Sequence, residues 1–175
     1  KYTDIKRGIV ELVITAGQKL ASVNPEELLR RTSVLENSIS VIIQQIIINV
    51  YSKLTTRYAD IGIHWLLTDQ SRFRLGSGYD APVWMPAVRL VKSLSPHCSE
   101  TIFRKLETAI IHFHAEDEKR LAKHYLSAWR DGYFNDYWGR AQYFLLPALD
   151  SNRVLPTTVN LMAVLNRKYE KYNKD

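Results

Sequence analysis

A single cysteine, Cys98, stands among the 175 residues. One thiol excludes an internal disulfide framework and a cysteine-based zinc cluster within the chain. It accords with a reducing, cytoplasmic setting. Glycine and proline are scarce too, at seven and six residues, against roughly 7% and 5% in ordinary proteins. Few breakers mean long elements and few turns, which favours helices. No apolar run is long enough to cross a bilayer: "ISVIIQQIIINV" (39–50) is too short and carries Gln44 and Gln45 at its centre. No signal peptide opens the chain, because its first twenty residues are charged at Lys6, Arg7, Glu11 and Lys19.

What remains is ordinary globular material, 46% apolar and 24% charged. The length suits one domain, residues 1–175, with a possible sub-boundary at the loop 71–82. A helix-like start without an initiator Met leads us to expect a segment of a larger multidomain protein.

Helical periodicity dominates. Ile5, Ile9, Leu12, Val13, Ala16 and Leu20 recur at spacings of three and four and form one helix face. "NPEELLRR" restarts a helix, with Asn24 as its cap, Pro25 in its first turn and Glu26 and Glu27 at the positive end of its dipole. Leu35, Ile39, Ile42, Ile43, Ile46, Ile47, Val50 and Leu54 then share a broad stripe. Its isoleucine content suits a strand, but about twenty residues exceed a normal strand. The pattern predicts one long central helix over about 34–57, apolar on more than one face because Val41 and Ile48 lie off the stripe. The clearest break is "SRFRLGSGYDAP" (71–82), and periodic segments follow it to the end of the chain. Breaks every 17–21 residues or so in the second half suggest paired helices in the size range of helical repeats. No tetratricopeptide or ankyrin consensus is present. The expected fold is all-α: stacked antiparallel helix pairs, as an irregular α-solenoid (HEAT-like) or a compact helical bundle.

"HFHAEDEKR" (112–120) resembles a metal-ligand run at first sight, with His112 and His114 ahead of Glu116, Asp117 and Glu118. Residues two apart share a face only on a strand. On a helix they diverge by about 200°, and the flanking periodicity is helical on both sides. His114 with Asp117 and Glu118 is a thin donor set, with no HExxH to complete it. The stretch reads as a boundary between helices, with acids starting the next one. No metal and no cofactor are expected.

Catalytic constellations are not assembled either. Cys98 directly follows His97, and neighbours in a turn rarely face each other. No G-x-S-x-G and no P-loop lysine occur. "GSG" (76–78) lacks the lysine of a phosphate cradle. Arg120 and His124 are too close for a helical nuclease motif, and no Glu-x-x-His pair recurs as a di-iron bundle requires.

Two stretches offer binding surface. Net charge is +6 and uneven: residues 72–105 carry Arg72, Arg74, Arg89, Lys92, Arg104 and Lys105 against Asp80 and Glu100. Such a region presents a positive field to an anionic partner, unless it is only the solvated face of a basic protein. Residues 125–144 hold eight aromatics interleaved with Arg130 and Arg140. Trp129, Arg130, Tyr137, Trp138 and Arg140 there could stack bases or form a binding hot spot. Their helical spacing equally fits an elbow sealed by rings, and that packing reading is the stronger one. The sequence therefore predicts a non-catalytic helical binding or scaffolding domain. Its partner is a protein or an adjacent domain of the same chain, without membrane contact. A nucleic-acid-associated domain using the basic 72–105 region is the alternative. The surface expected to carry binding is Arg72, Arg74, Arg89 and Lys92.

Overall fold

The computed structural model describes residues 2–76, 83–114 and 139–170, the first five of these by backbone alone. The fold is all-α, and no strand occurs among the described residues. No described helix is long and apolar enough to cross a membrane. The chain divides into two compact units, residues 1–106 and 107–175. The break at 71–82 falls inside the first.

In the first unit α1 (Tyr2–Val23) packs against α2 (Pro25–Thr32) and α3 (Val41–Tyr51). The face that α1 turns inward is not the expected one. Val10, Ile14, Gly17 and Gln18 are half-buried and Ala21 is buried, whereas of the expected face only Leu20 is half-buried among the residues whose burial is described, and Ile9, Leu12, Val13 and Ala16 are exposed, Leu12 at 71%. Gly17 supplies the reason. A Cβ there would lie 2.6 Å from Cγ2 of Val50, so the close approach of α1 to α3 requires glycine. Gln18 adds a bond from Nε2 to the carbonyl of Asn49, at 3.0 Å. A periodicity built on apolar side chains gives no weight to a glycine and a glutamine, and so selects the wrong face of this helix.

The start of α2 follows its sequence. Asn24 accepts from the Glu27 amide at 3.1 Å, and Pro25 occupies the first turn. Hydrogen bonds from Arg30 and Arg31 lower the Glu27 carboxyl to about 2.

The long central helix is shorter than expected. It spans Val41–Tyr51, while residues 33–37 form turns and Ile39 is 97% exposed. The cause is local competition for the backbone. Ser38 Oγ accepts from the Ser40 amide, and Gln44 Nε2 donates to the Ser38 carbonyl, at 3.2 and 2.8 Å. Tyr51 then ties this connection down, sharing a 2.8 Å bond with Thr32 and donating to Glu36 at 2.5 Å. Burial and the Glu36 carboxylate push the Tyr51 hydroxyl above its ordinary range. The buried face of α3 is Gln44, Ile47, Ile48, Val50 and Tyr51, and Ile43 and Ile46 are only half-buried.

A 3₁₀ turn (Thr56–Tyr58) leads into α4 (Ala59–Leu67). A second (Gln70–Arg74), begun by Asp69 accepting from the Ser71 amide, follows it. Both α3 and α4 pack against α5 (Met85–Leu94), whose Ala87, Leu90, Val91 and Leu94 are buried. This places α5 at the centre of the first unit. Asp60 of α4 accepts from the Ser99 amide at 2.6 Å, at the start of α6 (Glu100–His112).

In the second unit α7 (Arg140–Leu145) packs against α8 (Pro156–Tyr169). Gly139 precedes α7 at a φ of 86°, a left-handed conformation that favours glycine. Gln142 donates to the Phe113 carbonyl at 2.7 Å and so satisfies a group just past the end of α6. No side chain of the residue preceding α8 caps that helix. The buried carboxylate of Glu107 does so from α6, with Oε1 accepting from the Leu155 amide at 2.8 Å and the Thr158 hydroxyl at 2.6 Å. Replacing Glu107 by alanine strands the buried Thr158 hydroxyl, so a loss of about 1–3 kcal/mol is expected. Glu107→Gln keeps a side-chain oxygen and should lose less. Urea melts that give the two variants equal losses would remove this capping role.

Candidate anion-binding cleft

The structure separates the four cations expected to act together. Arg72 is a correction to the expected surface: it is only 4% exposed. Its guanidinium donates to the carbonyls of Trp65 and Glu36 and to the Thr68 hydroxyl. It also lies over the Trp65 ring, 4.2 Å from the centroid. Such a side chain is bound to its own fold and presents nothing to a partner. Arg74 is half-buried, with its guanidinium 5.2 Å from the Trp84 ring centroid. Arg89 and Lys92, one turn apart on α5, are exposed.

These two line a cleft of about 480 Å³ together with Gln18 of α1, Asn49 of α3, Ser52 and Lys53 just beyond α3, and Ser93 of α5. Three cations line it and no acid does. None of the three has an ion-pair partner among the described residues. Several described acids of the first unit are engaged elsewhere: Glu11 with Arg7, Glu27 with Arg30 and Arg31, Glu100 with Arg104, Asp60 with the Ser99 amide. The polar walls are ordered from behind. Gln18 and Asn49 each commit one amide hydrogen to a carbonyl, of Asn49 and Gln45 respectively. Each keeps its side-chain oxygen and a second N–H for a ligand. Ser52 is anchored on the Asn49 carbonyl at 2.7 Å.

Lys53 lies 36 residues before Arg89 and was not singled out from the sequence. No local signal marks it. It joins the other two because α3 packs against α5 and ends beside it.

The remaining candidates do not converge on this cleft. Arg140 is exposed at the first residue of α7, while Trp129, Arg130, Tyr137 and Trp138 lie outside the described residues. In the His/acid run His112 is the last residue of α6, its Nδ1 2.9 Å from the Thr108 carbonyl, and His114 lies beyond the helix. Glu116, Asp117 and Glu118 lie outside the described residues. Among the described residues no three His, Cys, Asp or Glu side chains are grouped as metal ligands would be. Cys98 is buried, with its thiol 3.5 Å from the Ser95 carbonyl, and the neighbouring His97 is exposed.

Among known proteins, no family model, no curated protein and no solved structure matches this chain.

Proposed function

We propose that the chain is a non-catalytic helical binding domain that engages an anionic group on a protein partner, or on an adjacent domain of its own chain, in the cytoplasm. One observation carries this reading: Lys53, Arg89 and Lys92 all line one cleft that no acid lines. A positive concavity walled by lower-dielectric protein concentrates field and draws in negative charge. The nucleic-acid alternative needs a longer basic track. Burial of Arg72 and the half-buried position of Arg74 shorten the one expected over 72–105. A compact cleft suits a localised anion better than a continuous phosphate backbone.

Fluorescence anisotropy against labelled polyglutamate and a labelled oligonucleotide, across a salt series, tests the reading. Polyglutamate is expected to bind the wild type, weaken as salt rises, and bind poorly to a Lys53→Gln/Arg89→Gln/Lys92→Gln variant. If neither anion binds the wild type, or the variant binds as well as the wild type, the cleft is not the site.

A further inference from the structure

We infer that the anion recognised in this cleft is a phosphoryl group, carried on a phosphorylated residue of a protein segment; this rests on the binding role proposed above. Charge points first in that direction. Lys53, Arg89 and Lys92 bring three positive charges. A phosphoserine or phosphothreonine carries roughly −1.5 to −2 near neutral pH and so answers more of that charge than a single carboxylate does.

Donor geometry points the same way. Arg89 offers a planar fork that engages two oxygens of one phosphate, and the two lysines offer mobile single donors from two elements. A phosphoryl group has three terminal oxygens to share among these donors, whereas a planar carboxylate has two.

Size and wall chemistry identify the carrier. At about 480 Å³, the cleft is in the size range of small-ligand sites. That admits the phosphoryl group with its own and neighbouring residues. The side-chain oxygens of Gln18 and Asn49 accept hydrogen bonds, and a peptide backbone offers N–H donors to match. A DNA backbone offers no such donors.

The test uses the whole chain, ¹⁵N-labelled, titrated with the peptide acetyl-Gly-Gly-phosphoserine-Gly-Gly-amide. Its glutamate and unmodified serine counterparts and a twelve-residue oligothymidylate complete the series. Saturable shifts are expected at the amides of residues 49–53 and 89–93 with the phosphopeptide. Binding of the glutamate peptide should be weaker by on the order of tenfold, given its smaller charge and two oxygens. The serine peptide should not bind. Lys53→Gln/Arg89→Gln/Lys92→Gln, at three exposed positions, should keep the wild-type melting temperature and lose the shifts. Equal affinity for glutamate and phosphoserine peptides overturns the phosphoryl assignment and leaves the anion-binding role intact. Tighter binding of the oligothymidylate than of the phosphopeptide overturns the choice of carrier in favour of nucleic acid. Shifts with no probe at all overturn both the assignment and the role beneath it.

Discussion

Arg72→Ala is expected to destabilise the first unit by about 1.5–3 kcal/mol, the size of contribution made by hydrogen bonds from a charged group. The side chain is a staple between separate pieces of chain. One guanidinium nitrogen reaches the Glu36 carbonyl in the turns after α2, and another reaches the Trp65 carbonyl and Thr68 hydroxyl at the end of α4. Its plane covers the Trp65 ring. Alanine would remove the charged donor from all three acceptors, leaving the Glu36 carbonyl with the Trp65 Nε1–H at 3.3 Å and the Trp65 carbonyl with the Thr68 hydroxyl at 2.8 Å. The charge itself is costly there. Burial lowers the Arg72 pKa from its usual value, yet an arginine starts so high that it stays protonated at neutral pH. Arg72→Lys keeps the charge but loses the planar fork and should also destabilise. Urea melts measure both. A loss under about 0.5 kcal/mol for Arg72→Ala, the size of an ordinary surface effect, would show that the staple holds nothing together. The same melts discriminate a structural Arg72 from one that binds a partner.

The second large effect is expected at Ile48. This side chain is fully buried on α3, and truncation to alanine should cost about 2–5 kcal/mol through lost transfer energy and the cavity left behind. Ile42, six residues earlier on the same helix, is exposed and should cost under about 0.5 kcal/mol. The half-buried Ile43 and Ile46 should fall between. The ordering is the informative part, because the apolar pattern places Ile42 on its stripe and Ile48 off it. If chemical denaturation ranks Ile42 above Ile48, the orientation of α3 is wrong.

Several parts of the fold are readable one turn at a time. Asn24 and Pro25 start α2 where a capping residue and an N-terminal proline demand, because those interactions are made within four residues. The segment 99–113 keeps a clean period, and its Phe103, Leu106, Ile110 and Phe113 are all buried. The cleft was half legible. A positive stretch with few acids is a local property and led to Arg89 and Lys92. That Arg72 turns inward and that Lys53 completes the set are not local properties.

Composition and periodicity alone determine that this chain is helical, without an internal disulfide, and roughly where its helices begin. Those outcomes follow from backbone preferences and from bonds closed within one turn. Which face of each helix is buried was decided by tertiary packing. α1 and α3 are apolar around much of their circumference, so the burial energy of competing faces is similar. The choice between them falls to the residue that allows the closest approach, Gly17 against Val50. In the same way an arginine is surface or staple according to the acceptors that fold around it. Glu36, Trp65 and Thr68 come to Arg72 only once the chain has closed.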